Sequence, residues 1–240
     1  MSARNTCQRP RYSLPSLGPV QQLKAGRLAR RIPQLYLGLV LYGWSMAMLI
    51  RANLGLDPWD VLHQGLTYLV PVSFGTITII VGALVLLLWV PLRQWPGLGT
   101  VSNVFVIGLA ADFGLWLLPS PESLGLRIGL LVLGVVLNGL AGASYLGSQF
   151  GSGPRDGLMT GLAARTGGSL RLIRTGIEVS VLVIGFLLGG TVGLGTVLYA
   201  LSIGPLVQFF LPRVAVALPG PDVDEGRVAV GAGGASGASG

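Results

Sequence analysis

Residues 53–62 read "NLGLDPWDVL" and residues 149–158 read "QFGSGPRDGL". Gly55, Pro58, Asp60 and Leu62 fall at the same spacing as Gly151, Pro154, Asp156 and Leu158. The match extends well beyond these stretches. A shift of 96 aligns residues 35–113 with 131–209 without a gap, with 26 identities over 79 positions. Gly65 and Leu66 pair with Gly161 and Leu162, and Gly97-Leu98-Gly99-Thr100-Val101 recurs as Gly193-Leu194-Gly195-Thr196-Val197. Oily composition alone produces scattered Leu, Val and Gly matches. It does not hold Pro and Asp in register. The chain therefore reads as an internal duplication, a feature that governs any assignment of fold.

The sequence around both stretches is strongly apolar. Hydrophobic residues make up 51% of the chain and charged ones 10%, and the mean hydropathy is +0.71. A soluble domain carries about 25% charged residues. Six apolar runs stand out, at roughly 33–50, 72–92, 98–118, 126–146, 172–190 and 194–212. Each is about 18–22 residues, or ~27–33 Å as a helix, which matches a bilayer. Backbone groups cannot stay unpaired in lipid, so the runs are expected as helices rather than as the short alternating segments of a barrel. The fold class is thus all-α, a polytopic membrane bundle of about six spans. Five spans is the main rival.

The organisation follows. Residues 1–31 form a basic tail, 32–118 a first membrane repeat, 126–212 a second, and 218–240 a Gly/Ala-rich tail expected to be disordered. Two less oily inserts, 54–71 and 150–169, interrupt the repeats. Three spans per unit is an odd number, so the second copy enters from the opposite face. Inverted repeats of this kind are a recurring plan of secondary transporters, with the site at the repeat interface.

Charge supports an orientation. The net charge is +7. Arg4, Arg9, Arg11, Lys24, Arg27, Arg30 and Arg31 precede the first run, with no acid among them. With the N-terminus cytoplasmic and six spans, only Arg51 and Arg127 of the sixteen basic residues fall outside, as the positive-inside tendency favours. Both termini are then cytoplasmic. Five spans would move the C-terminus and its arginines outside. The basic tail reads as a juxtamembrane segment touching anionic lipid. It lacks the aromatic interleaving of a nucleic-acid surface, so no nucleic-acid partner is expected. Cys7 is the one cysteine, which excludes an intrachain disulfide.

The polar positions carry two readings. Asp57 suits an N-cap, Pro58 the first helical position, and Asp60 a carboxylate reaching back in a capping box. Gly153, Pro154 and Asp156 repeat the pattern. Alternatively, the two helix starts dip into the membrane from opposite sides and turn their positive ends on a solute. Candidate solute contacts are then Asp57, Trp59, Asp60, Arg155, Asp156, Asp112 and its repeat mate Gln208. Arg174 and Glu178 lie four apart on one helix face. They are a candidate gating pair, or an interfacial ion pair that anchors the helix. His63 has no partners at metal-ligand spacing, so a surface or packing role is expected and no metal site. Gly139, Gly142, Ala143, Ser144 and Gly147 make a small-residue face for close helix packing. Gly151-x-Gly153 lacks the βαβ setting of a dinucleotide site. No nucleophile–base arrangement or phosphate loop is found, so neither enzymatic activity nor a cofactor is expected.

At these motifs the chain resembles the YczE/YyaS/YitT group of bacterial inner-membrane proteins, closest to the YczE branch. The residues that carry the likeness are 54–66 "LGLDPWDVLHQGL", 151–167 "GSGPRDGLMTGLAARTG", 174–178 "RTGIE" and 190–196 "GTVGLGT". The resemblance covers about 35–212. It implies a multi-pass protein of the cytoplasmic membrane, in a group mostly without an assigned activity and in which transport is often considered. Many YitT-branch members carry a soluble domain after the spans. The tail here is too short for one, so regulation through such a domain is not expected.

The expected function is transport or binding of a small solute or ion at the repeat interface. The alternative is a regulatory or scaffold protein of the membrane that moves nothing. Expected partners are the lipid bilayer, the solute, and a membrane protein or a second copy of this chain. A polar cavity reaching both inserts would favour the first reading. Solid packing there would favour the second.

Overall fold

The computed structural model describes residues 19–218, which form helices and no strand. A short helix α1 (Pro19–Lys24) precedes α2 (Leu28–Ala52). Then follow α3 (Pro58–Leu69), α4 (Phe74–Leu92), α5 (Leu98–Leu117), α6 (Leu124–Gly147), α7 (Pro154–Thr166), α8 (Leu170–Leu187) and α9 (Leu194–Val214). The six apolar runs correspond to α2, α4, α5, α6, α8 and α9, with ends displaced by a few residues. The inserts each hold one short helix, α3 and α7. Cys7 and the Gly/Ala-rich 219–240 lie outside the described residues.

Five helices, α2, α4, α5, α6 and α9, are long and apolar enough to cross a membrane. The remaining long helix, α8, has 18 residues but carries Arg171, Arg174 and Glu178 in its first half. Large apolar side chains point outward along the bundle, among them Leu37, Leu87, Val90, Trp116 and Leu201. Water would penalise that surface, whereas lipid does not.

Helix α2 is the hub. It packs against α5 and α6, and α6 packs against α9. Small residues permit these approaches. Gly38 lies against Ser144 and Tyr145, Gly43 against Ala110 and Ala111, and Gly139 against Leu206. A Cβ at any of the three would meet a neighbour closer than van der Waals contact allows.

Polar contacts tie the helix ends into two groups. In one group, Arg31 donates to the Ser148 and Gln149 carbonyls, Gln34 to those of Ser144 and Val214, and the Val216 amide to Gly147. Arg165 donates to the Pro91 carbonyl nearby in sequence to Gly97, which approaches Phe150. In the other group, Arg51 reaches Leu115 and Ser120, and Arg127 reaches Ala52 and Asn53. Thr191 joins them through Gln64 and Asn53.

Contacts recur at the 96-residue shift. The Gly99 amide donates to the Phe150 carbonyl at 2.9 Å, and the Gly195 amide to the Leu54 carbonyl at 2.8 Å. Gly55, at φ +120°, sits on Gly193 and Thr196, while Gly151, at φ +110°, sits on Gly97 and Thr100. These positive φ values and close approaches account for glycine at both positions. The insert helices cross over: α3 packs on α8 of the second half, and α7 packs on α4 of the first.

One pair departs from this correspondence. Helices α4 and α5 pack together, with Gly75 against Gly108 and Gly82 against Val104. At the shifted positions stand Arg171, Gly204, Glu178 and Ala200. A guanidinium cannot enter a crossing that admits only a hydrogen. Helices α8 and α9 accordingly stand apart, although only residues 188–193 join them. A Cβ at Gly204 would meet nothing within 4 Å, and Gly185 alone is buried along α8.

Candidate functional site

The start of α3 forms as its sequence dictates. Asp57 is the N-cap, with extended backbone, and its Oδ1 accepts from the Asp60 amide at 2.8 Å; Pro58 follows at the first helical position. The helix start therefore has one orphan amide satisfied and no wasted donor at the proline. In the second insert Gly153 and Pro154 take the equivalent places.

Asp60 does something different from the expected capping box. It is fully buried, and neither carboxylate oxygen accepts a hydrogen bond among the described residues. Instead it lies 3.3 Å from His63 Nδ1 and 3.5 Å from the Arg155 guanidinium. His63 is itself buried rather than at the surface, edge-on to Phe74 and near Thr78. A packing role for it holds; a surface role does not.

Arg155 joins the two inserts. Its guanidinium lies 3.6 Å from Asp57 Oδ2 as well as 3.5 Å from Asp60 Oδ1, and sits 5.1 Å over the Trp59 ring. Trp59 and Arg155 are mates at the 96-residue shift, so equivalent residues of the two inserts touch each other. The ion-pair distances exceed those of close charge-assisted hydrogen bonds, about 2.7–2.9 Å. One cation thus faces two buried carboxylates at loose range. Removing it would leave both uncompensated, a costly state in a dry interior.

A cavity of about 530 Å³ opens beside this cluster. Asp57, Trp59, Arg155, Asp156, Arg174, Glu178 and Gln208 all line it, although they come from α3, α7, α8, α9 and the turn before α3. Asp156 Oδ2 accepts from the Tyr145 hydroxyl at 3.2 Å. Arg174 Nε meets Glu178 Oε1 at 2.9 Å in a partly exposed pair on the α8 side. Asp60 stands just behind the wall, reaching the cavity through Arg155. Asp112 is elsewhere. It accepts from Ser73 Oγ at 2.5 Å and the Gly75 amide at 2.7 Å, which fastens α5 to the first turn of α4.

Other wall residues escaped sequence reasoning. Tyr42, Tyr145, Tyr199 and Asn138 line the cavity from α2, α6 and α9. The Tyr199 hydroxyl donates to Asn138 Oδ1 at 2.8 Å, and Asn138 Nδ2 donates to Ser45 Oγ at 2.9 Å. Asn138 is almost wholly buried. An amide inside an apolar run is a costly placement, and that was the available signal.

Comparison with known proteins agrees with this class. Residues 29–212 match the family described as "Family of unknown function (DUF6198)", and the chain belongs to it. An uncharacterised protein of Haemophilus influenzae is 40% identical over 186 residues, covering 78% of this chain and 85% of the relative. The Bacillus subtilis "Uncharacterized membrane protein YczE" is 33% identical over 180 residues, covering 74% of this chain and 84% of the relative. The B. subtilis protein YyaS is 26% identical over 182 residues, covering 74% and 90%. No solved structure matches. The matched region spans α2 through α9, so both inserts and the cavity belong to the family portion.

Proposed function

We propose that this is a six-span inner-membrane protein of two inverted repeats, which binds and moves a small solute through the central cavity. The observation that carries the reading is the meeting of Trp59 with Arg155 at the cavity wall. Sequence mates can touch only near the axis that relates them, and a cavity with charged walls beside that contact is what an inverted-repeat transporter would use as its site. The reciprocal bonds of Gly99 with Phe150 and Gly195 with Leu54 support the same axis.

The helix ends support six spans. The starts of α2 and the ends of α6 and α9 share one group of contacts, as an even number of crossings requires. Helix α8 runs from the turn after α7 to Leu187, shortly before Thr191, which belongs to the opposite group. At 1.5 Å per residue its 18 residues reach ~27 Å. Arg171 and Arg174 near its start can extend to the interface. The distribution of basic residues supports cytoplasmic termini. Asp57, Arg155, Arg174 and Glu178 at the cavity are held in ion pairs, and Asp156 bonds the Tyr145 hydroxyl, an arrangement that supports carriage rather than catalysis. The separation of α8 from α9 supports entry between them, where the packed α4–α5 pair leaves no equivalent gap.

The test is a thermal-shift screen of detergent-purified protein against metabolites and inorganic ions. A specific ligand should raise the melting temperature, and Asp60→Asn and Asp156→Asn should abolish the rise. If no compound stabilises the protein while a membrane protein co-purifies with it, the scaffold reading replaces this one.

A further inference from the structure

Charge around the cavity does not balance. Asp57, Asp156 and Glu178 line it, with Asp60 immediately behind; Arg155 and Arg174 are the permanent cations set against them among the described residues, and the His63 imidazole also lines it, beside Asp60. Four carboxylates thus face two guanidiniums. Each guanidinium is already engaged: Arg155 lies between Asp57 and Asp60, and Arg174 bonds Glu178. An anion would have to compete with these carboxylates for either arginine.

Asp156 is the exception. Its hydrogen-bond partner is the Tyr145 hydroxyl, and no basic group lies within ion-pair distance of it among the described residues. Burial pushes the Asp156 carboxyl up, and Arg174 and Arg155 oppose that only at longer range. The start of α7 contributes a partial positive charge, about half an elementary charge, which offsets a carboxylate incompletely. A part-buried carboxylate with no cation in contact is met either by a proton or by a counter-cation in the cavity.

The wall also selects the kind of cation. Rings of Tyr42, Trp59, Tyr145 and Tyr199 line the same space. The Trp59 ring already carries the Arg155 guanidinium at 5.1 Å, so the three tyrosines supply the remaining aromatic surface. Aromatic faces attract ammonium groups with apolar substituents, as in aromatic cages. No group of three His, Cys, Asp or Glu among the described residues is placed to hold a metal ion. A volume of about 530 Å³ suits an organic molecule rather than a bare ion.

We infer that the cavity takes an organic cation, its ammonium against Asp156 and its apolar substituents against the rings of Tyr42, Tyr145 and Tyr199. This rests on the solute-binding reading above and specifies its ligand class. It also gives the unpaired carboxylate a role that capping alone does not require.

The test uses the full chain in nanodiscs of zwitterionic lipid. Probes are tetramethyl-, tetraethyl- and tetrabutylammonium, then a shape-matched charge series: choline, 3,3-dimethylbutanol and 3,3-dimethylbutanoate. The expected result is saturable stabilisation by at least one ammonium, with the neutral and anionic members of the series inactive. Asp156→Asn should weaken that binding by about tenfold or more, the loss of one charge-assisted contact. Asp112→Asn, outside the cavity, should leave it unchanged. The charge series is read on the unsubstituted protein, so it decides the matter even if Asp156→Asn misfolds. Stabilisation by the neutral or anionic member in preference to every ammonium overturns the cation assignment but leaves a solute site standing. No response to any ammonium also overturns it. The metabolite screen then decides separately whether a solute site exists.

Discussion

Asp57 and Asp60 share one guanidinium that comes from the other half of the molecule, 95 residues from Asp60 along the chain. That dependence makes Arg155 a structural residue as well as a site residue. Arg155→Met keeps most of the side chain's bulk and deletes its charge. It should destabilise the protein by about 3 kcal/mol or more, because two buried carboxylates lose their cation. Combining it with Asp60→Asn should recover part of the loss. A double-mutant cycle read by unfolding in mixed micelles should give a coupling of roughly 0.5–3 kcal/mol; strict additivity would mean that the ion pair is not formed. The local half of this site was legible in the sequence. Asp-Pro-Trp-Asp spells an N-cap and a proline start, and Asp57 behaves so. The partner of Asp60 was not legible, since a capping box is a neighbour rule and Arg155 is a tertiary neighbour. Asp112 illustrates the same limit. A carboxylate within an apolar run is a functional candidate by default, yet this one accepts from Ser73 and Gly75 and fastens two helices.

At the scale of elements, glycine mates have diverged in what surrounds them. Gly108 lies against the Gly75 carbonyl and Ile79, while Gly204 has open space beside it. Gly108→Ala should therefore cost about 1–3 kcal/mol through overpacking at a helix crossing. Gly204→Ala should stay within about 0.5 kcal/mol of the parent. Melting temperatures of the two purified variants check the contrast; equal losses would mean that α8 and α9 pack as α4 and α5 do. The cause of this asymmetry was present in the sequence as Arg171 opposite Gly75 and Glu178 opposite Gly82. Run length does not expose it, because the length of a helix does not say which neighbour its side chains meet. Only aligning the two halves and asking what each side chain meets reveals it. The helices themselves were more readily legible, since hydropathy determines where a backbone must satisfy its own hydrogen bonds. Helix α8 was the weakest of them for the same reason that it matters: its first half gives up apolar residues to a charged pair at the cavity.

For the whole molecule, the inverted-repeat reading makes a sidedness prediction that the apolar runs alone do not. Between Val72 and Gly168 lie α4, α5 and α6, and α7 is too short to count as a crossing. Between Gly168 and Val192 lies α8 alone. In a Cys7→Ser background, single cysteines at Val72, Gly168 and Val192 can be probed with a membrane-impermeant maleimide. All three positions are exposed. In intact cells Val72→Cys and Val192→Cys should label, whereas Gly168→Cys should label only after the membrane is opened. Labelling of Val72→Cys and Gly168→Cys from the same side would remove the inversion. Agreement of Gly168→Cys with Val192→Cys would leave five spans and put α8 on one face. The charge distribution favours the first pattern: Arg155, Arg165, Arg171 and Arg174 cluster around the second insert, while the first insert and its flank carry Arg51 alone beside Asp57 and Asp60. Basic residues near span ends resist translocation, whereas acidic ones contribute little. Moving three arginines to residues 68–72 should therefore weaken the preference for one orientation, and the same maleimide assay would detect it as Gly168→Cys beginning to label in unopened cells.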